Sequence, residues 1–302
     1  MDKVLITGGA GFIGSHIARF CLAKGLRVAV LDSLRTGHAA NLEGLHVDFT
    51  QGSVEDAALV QHVAQGARYV FHLAALVSVP ESMAKPQETE RINVLGTINV
   101  LEAAKRAGCE RVVFSSTSAV YGDVERPIHA ETDLPEPVSP YAISKLAAEH
   151  YMHLYARAHG VPTAVLRSFN VFGPRQDPKS PYAAAVAIFA DKARTGAPLR
   201  IFGDGQQTRD FIFVEDVVRA NWTAAQNGNG TCNVATGEKI TVRALAEKII
   251  RLCGSNSIIE HAEKRAGDVL HSRGDATRLR TFGWAPQVDL EEGLRRTLAP
   301  KD

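Results

Sequence analysis

A glycine-rich turn joins the first strand-like run of this chain to its first helix-like run. Val4-Leu5-Ile6 is followed by Thr7-Gly8-Gly9-Ala10-Gly11-Phe12-Ile13-Gly14, and a helical pattern then covers Ile13 to Lys24. Gly9, Gly11 and Gly14 satisfy G-x-G-x-x-G, and Gly8 supplies a second register, G-x-x-G-x-x-G. Glycines allow a tight turn and close approach to a diphosphate, which free N–H groups and the positive dipole end of the helix then attract. Such a fingerprint is weak alone, but here a strand precedes it and a helix follows it.

The first half repeats this strand–helix rhythm. Strands are expected at Val4-Leu5-Ile6, Val28 to Leu31, Tyr69 to Leu73, Val112 to Ser115 and Thr163 to Leu166. Several are apolar at consecutive positions, as strands buried on both faces should be. Helical patterns occupy Ile13 to Lys24, Val54 to Ala64, Arg91 to Arg106 and Pro140 to His159. This alternation predicts an α/β fold, a doubly wound parallel sheet of the Rossmann-like kind. After Ser168 the rhythm weakens, with helical patterns at Val214 to Asn227, Val242 to Cys253 and Leu290 to Leu298. Thr231 to Ala235 reads as one further strand. We therefore expect a dinucleotide-binding domain over 1–167, rejoined by about 211–235, and a smaller, partly interleaved C-terminal lobe over 168–302.

Composition excludes several classes of function. A net charge of +1 over 302 residues offers no broad basic surface for nucleic acid or an anionic membrane. The apolar stretch Tyr182 to Ala190 is too short to span a bilayer, and the start enters a strand pattern without an apolar leader. The four cysteines, Cys21, Cys109, Cys232 and Cys253, form no C-x-x-C motif, and no metal site is expected. His150 and His153 are spaced as metal ligands can be, but a third ligand is lacking and a helix-surface role is expected. His72, at a strand end, reads as a packed or backbone-bonded histidine. A cytoplasmic location follows from these features.

The second expected strand ends at Asp32, where a carboxylate can accept hydrogen bonds from a ribose diol and repel a 2′-phosphate. NAD is thereby favoured over NADP, although the nearby Arg35 leaves NADP binding open. Further on, Ser139 can cap a helix that Pro140 begins, placing Tyr141 in its first turn and Lys145 one turn later on the same face. A neighbouring ammonium and a cationic nicotinamide would both favour phenolate and equip the tyrosine as a general base. Y-x-x-x-K is common by chance. Here it accompanies the glycine fingerprint and a hydroxyl cluster, Phe114-Ser115-Ser116-Thr117-Ser118, where ligands of open α/β sheets bind.

With these motifs the chain resembles the extended short-chain dehydrogenases/reductases, and among them the UDP-sugar 4-epimerases acting on UDP-glucose or UDP-N-acetylglucosamine. The resemblance is carried by T-G-G-A-G-F-I-G, H-L-A-A (72–75), R-I-N-V-L-G-T (91–97), S-S-T-S-A-V-Y-G (115–122) and P-Y-A-I-S-K (140–145). Further matches are L-R-S-F-N-V-F-G-P (166–174), T-R-D-F-I-F-V-E-D (208–216) and R-A-G-D-V (265–269). It implies an isomerase that inverts C4 of a UDP-hexose by transient oxidation to a 4-ketose. Thr117, Tyr141 and Lys145 would be catalytic. Gly8, Gly11, Phe12, Ile13, Gly14, Asp32, Ser53 and Val54 would hold NAD, joined by Leu73, Ala74, Ala75, Asn93 and Ser115. Ser78, Thr117, Asn170, Arg209, Arg265, Asp268 and Ser272 would bind the UDP-sugar. The family also implies a homodimer through a four-helix bundle built from the helices around Ile92 to Ala104 and Ala142 to Ala156.

Some positions depart from the family pattern. Ser53 stands where relatives carry an adenine-contacting aspartate, and Ser168 where some epimerases carry a tyrosine beside the nicotinamide. Ser272 replaces a bulky tyrosine, which implies room for a 2-acetamido group. The acidic pair of the related 4,6-dehydratases is replaced by Ser118-Ala119. Another NAD-dependent nucleotide-sugar dehydratase or reductase is the alternative enzyme. A non-catalytic nucleotide-binding protein is the alternative outside catalysis.

Overall fold

The computed structural model describes residues 2–124, 126–178, 185–263 and 270–299. The chain opens with β1 (Lys3–Thr7), α1 (Phe12–Ala23), β2 (Arg27–Asp32) and β3 (Asp48–Gln51). Then come α2 (Ala57–Ala64), β4 (Ala67–His72), α3 (Val79–Ala84) and α4 (Pro86–Glu90). A π-helical turn, Arg91–Leu95, leads directly into α5 (Gly96–Ala107), followed by β5 (Arg111–Thr117), α6 (Pro140–Ala158) and β6 (Thr163–Ser168). These strands and the later β11 form one parallel sheet in the order β11-β6-β5-β4-β1-β2-β3, with β11 at Gly230–Val234.

Alternate residues along each strand feed separate cores, as a sheet covered on both faces requires. Val4 and Ile6 of β1, Val28 and Val30 of β2 and Val113 of β5 pack with Ile17, Ala18 and Cys21 of α1. Leu5, Ala29, Leu31, Val112 and Phe114 face the other way, toward α2, α5 and α6. Complete burial of a side chain such as Leu5 stabilises the fold by about 1.5–3 kcal/mol. Among the strands of the main sheet, the one missing from the sequence expectation is β3. It is an edge strand with three of its four residues exposed, so its sequence, Asp48-Phe49-Thr50-Gln51, lacks the apolar run that marks its neighbours.

The second half supplies β7 (Asn170–Phe172), α7 (Ala185–Thr195), β8 (Leu199–Phe202), β9 (Thr208–Arg209), β10 (Phe211–Phe213) and α8 (Val214–Asn227). After β11 come β12 (Ile240–Thr241), α9 (Val242–Cys253), β13 (Ile259–Ala262), β14 (His271–Ser272), α10 (Thr277–Arg280) and α11 (Leu290–Leu298). A third core joins Phe189 of α7, Leu245 and Ile249 of α9 and Leu294 of α11 to the aromatic residues of β7 and β10. Interleaving is visible in α8, which packs against α1, while β11 extends the main sheet beside β6. Two buried aspartates bind the lobe's segments. Asp210 accepts from the N–H groups of Thr236, Gly237 and Gly274, and Asp216 from those of Gln287 and Val288.

Candidate active site

The sheet changes winding direction between β1 and β4, because β2 and β3 lie on one side of β1 and β4, β5 and β6 on the other. A crevice opens beyond the carboxyl ends of strands at such a point. A cleft of about 570 Å³ occupies this place. Of the residues expected at the cofactor, Gly8, Gly11, Phe12, Ile13, Gly14, Asp32, Ser53, Val54, Leu73, Ala74, Ala75 and Ser115 line it, together with Thr117, Tyr141 and Lys145.

The glycines form a cradle that side chains would fill. Gly8 has φ +72°, and a Cβ there would lie 2.7 Å from the Ala74 nitrogen. A Cβ on Gly14 would lie 2.7 Å from the Gly9 Cα and would also strike the Gly8 carbonyl. Gly11 caps α1 without a side chain, so the helix directs its first N–H groups into the cleft. At the adenosine end Asp32 is held by the N–H groups of Ala10 (2.9 Å) and Leu34 (2.8 Å), and its oxygens retain acceptor capacity. At the other end the Ser168 hydroxyl is buried in the cleft wall without a partner among the described residues. A shaped anion cradle, a carboxylate at the ribose position and an unsatisfied hydroxyl fit a dinucleotide such as NAD.

Asn93 does not line the cleft. It sits in the π-helical turn, where its amide accepts from Leu76 N–H (2.7 Å) and donates to Leu76 C=O (3.1 Å) and the Ser144 hydroxyl (2.9 Å). It braces the loop after β4 against α6, a use of the wider turn that π-bulges often serve at functional sites. His72 belongs to the same brace. Its ring nitrogens meet Thr7 Oγ1 at 2.7 Å and Thr97 Oγ1 at 2.9 Å. Thr97 donates in turn to the Asn93 carbonyl, so Nε2 carries the imidazole proton. Burial pushes this histidine down to about 3, so it stays neutral. Ser78 is buried outside the cleft lining, and its hydroxyl caps α3 by accepting from Glu81 N–H at 2.9 Å.

Helix α6 begins as its sequence indicated. Ser139 accepts from Ala142 N–H at 3.2 Å, Pro140 follows, and Tyr141 and Lys145 share a face directed at the cleft. Tyr141 and Thr117, the latter at the end of β5, both line the cleft. Thr117 Oγ1 accepts from Ala119 N–H at 3.1 Å, which leaves its own proton to donate. The expectation that Lys145 and a cationic nicotinamide favour phenolate concerns the cofactor-bound site; without cofactor, burial raises the phenol above its ordinary value and the opposing pull comes from Thr117. Burial also brings the Lys145 ammonium down to about 7, with Glu149 acting the other way. Desolvation penalises the charged form of each group. Lys145 lies with its nitrogen 4.2 Å from the centre of the Phe114 ring.

Beneath this pair lies a network that the motifs did not disclose. Glu149, one further turn along α6, forms a buried ion pair with Arg167 of β6 (2.7 Å) and accepts from Ser116 of β5. The spacing Tyr141, Lys145, Glu149 was its available signal. In the C-terminal lobe, Arg209 and Ser272 are register partners on β9 and β14, and the Asn170 amide donates to the adjacent Asp210 carbonyl at 3.0 Å. These three expected substrate residues are thus neighbours. Arg265 and Asp268 lie outside the described residues.

Known proteins agree with this geometry. Residues 4–235 match the NAD dependent epimerase/dehydratase family. The chain is 39% identical over 306 residues to the UDP-glucose 4-epimerase of Mycolicibacterium smegmatis, covering 98% of this chain and 97% of that one. The crystal structure of Thermotoga maritima UDP-glucose 4-epimerase with UDP-glucose superposes with a TM-score of 0.95 at 39% identity, covering 98% and 97% of the two chains. The UDP-N-acetylglucosamine 4-epimerase of Methanobrevibacter ruminantium, in complex with UDP-N-acetylmuramic acid, gives 0.94 at 37% identity with the same coverage. In sequence and in overall fold, this chain belongs to the NAD dependent epimerase/dehydratase family.

Proposed function

We propose that this protein is a UDP-sugar 4-epimerase that interconverts UDP-glucose with UDP-galactose and accepts their N-acetylated counterparts. The observation that carries the reading is that Tyr141, Thr117 and Lys145 come together in the wall of the dinucleotide cleft. Tyr141 takes the proton of the sugar 4-hydroxyl and later returns it. Thr117 orients the 4-oxygen toward the phenol. Lys145 binds the cofactor ribose from the wall of the cleft. NAD, when bound, accepts and returns the hydride at C4. The sugar must present its other face between these events, so the nucleotide is gripped while the hexose is held by small polar groups. Asn170 and Arg209 grip it from the lobe over 168–302, where a guanidinium suits phosphate oxygens.

Ser118 and Ala119 occupy the turn after Thr117 and carry no acid for the proton transfers of a dehydratase. Reversible oxidation at C4 alone remains. Ser272 is half-buried opposite Arg209, and a side chain this small would leave room for a 2-acetamido group. Incubation of each of the four UDP-sugars without added cofactor should yield its 4-epimer with no net NADH. A 4-keto-6-deoxy product, or no isomer from any of them, would rule the reading out. Ser272→Tyr should remove activity on the acetylated pair selectively, whereas equal loss on both pairs would reject its role in size selection.

The same reading includes a homodimer. Exposed apolar side chains include Met83 on α3, Leu95 in the π-helical turn before α5, and Ile143 and Leu154 on α6. Helices α3 and α5 both pack beside α6. Ile143 and Leu154 are eleven residues apart and fall on one stripe, the pattern of a helix that packs against a second copy.

A further inference from the structure

The adenosine end of the cleft holds an arrangement that the sugar chemistry does not use. Among the described lining residues the cations are Lys145, at the far end beside Tyr141, and Arg35, three residues after Asp32. Leu34 has φ 58°, a left-handed conformation unusual for leucine, and this turn presents Arg35 to the segment that follows β4. There the guanidinium is gripped from two sides. Nη2 is 2.6 Å from Glu81 of α3, and Nη1 is 2.6 Å from Glu88 of α4. Lys85 lies between the same carboxylates, 3.3 Å from Glu81 and 3.7 Å from Glu88. Two cations and two anions therefore cancel beside Asp32.

We infer that Glu81 and Glu88 determine cofactor specificity: by holding Arg35 they deny its guanidinium to a ribose 2′-phosphate and reinforce the choice of NAD over NADP. An arginine shortly after the ribose-binding position is the residue type that accommodates a 2′-phosphate. Here both arms of its fork are committed to carboxylates, so a dianionic phosphate would meet the Asp32 charge with no opposing cation released. Arg35 holds both glutamates below the usual carboxylate range, which keeps the clamp charged at neutral pH. Partly exposed pairs of this kind add little to stability. The consequence of the clamp therefore belongs to selectivity. The inference rests on the dinucleotide site alone, so its failure would leave the epimerase reading intact.

The test compares wild type, Glu81→Gln/Glu88→Gln, and that double variant with Arg35→Ala. Each is equilibrated with equal NAD⁺ and NADP⁺, freed of unbound nucleotide, and assayed chromatographically for bound cofactor. The bound NADP-to-NAD ratio should rise about tenfold in the double variant, the value of one added charge-assisted hydrogen bond. It should return to the wild-type ratio in the triple variant. An unchanged ratio in a double variant that still carries NAD overturns the inference. So does a rise that survives Arg35→Ala, since Lys85 or general charge would then be the cause. Should the double variant not fold, Glu88→Gln alone frees one arm and should give a smaller rise with the same dependence on Arg35; no rise there also overturns it.

Discussion

Tyr141 shows how far a residue's chemistry depends on its surroundings. Its phenol is raised by burial and drawn down by Thr117, so the neighbouring hydroxyl helps to set the acidity of the tyrosine. Tyr141→Phe should lower epimerase turnover at least about a hundredfold, the usual share of a general base. Near-normal turnover in a steady-state assay would remove Tyr141 from that role. Lys145 carries a consequence for stability. An unfolded lysine holds its proton to about pH 10, whereas burial lets the folded one release it near 7. Between those values the unfolded chain binds more protons, so this lysine makes stability rise with pH. Below the lower value both states are protonated and the buried charge exerts its full cost. Cofactor-free Lys145→Met should therefore melt above wild type at about pH 6, with the gap narrowing by about pH 9. A gap that widened toward alkaline pH would contradict the burial argument.

At the scale of elements, the fingerprint turn and α1 act as one unit. The Gly14 position is closed by backbone, the Gly8 carbonyl and the Gly9 Cα, and backbone cannot yield as a flexible side chain would. Gly14→Ala should cost about 1–3 kcal/mol of stability, the range for overpacking, and should weaken NAD binding at least about tenfold. Denaturant midpoints and cofactor content measure the two effects. Retention of full NAD content would mean that the cradle tolerates a side chain. Helix α6 is the second such unit. Its start was legible because Ser139 and Pro140 are local signals, and local signals also located Tyr141 and Lys145. The anchorage of α6 was not legible, since Glu149 meets Arg167 and Ser116 only when two strands lie beneath the helix. Asn93, expected beside the cofactor, has its side chain bonded to the loop after β4. Its position in a π-helical turn, which no residue pattern announces, decides which way its amide points.

For the whole molecule, the apolar stripe on α6 has the largest consequence. Ile143 and Leu154 are 48% and 44% exposed, and they fall on one stripe of α6. Ile143→Glu/Leu154→Glu should convert the proposed dimer to monomer in sedimentation while leaving the fold intact by circular dichroism. A wild-type protein already monomeric at micromolar concentration would dispose of the dimer. No helix among the described residues is long and apolar enough to cross a membrane.

The sequence by itself determined the alternation of buried strands with helices, the glycine cradle, Asp32 at the end of β2 and the tyrosine–lysine pair. Each of these is encoded within one or two turns of chain, where periodicity, capping and steric preference act without help. Tertiary structure alone decided the edge strand β3, the neutral His72 brace, the raised phenol of Tyr141 and the clamp on Arg35. Those depend on desolvation and on partners dozens of residues away, and neither burial nor a distant carboxylate leaves a mark on the local order of residues.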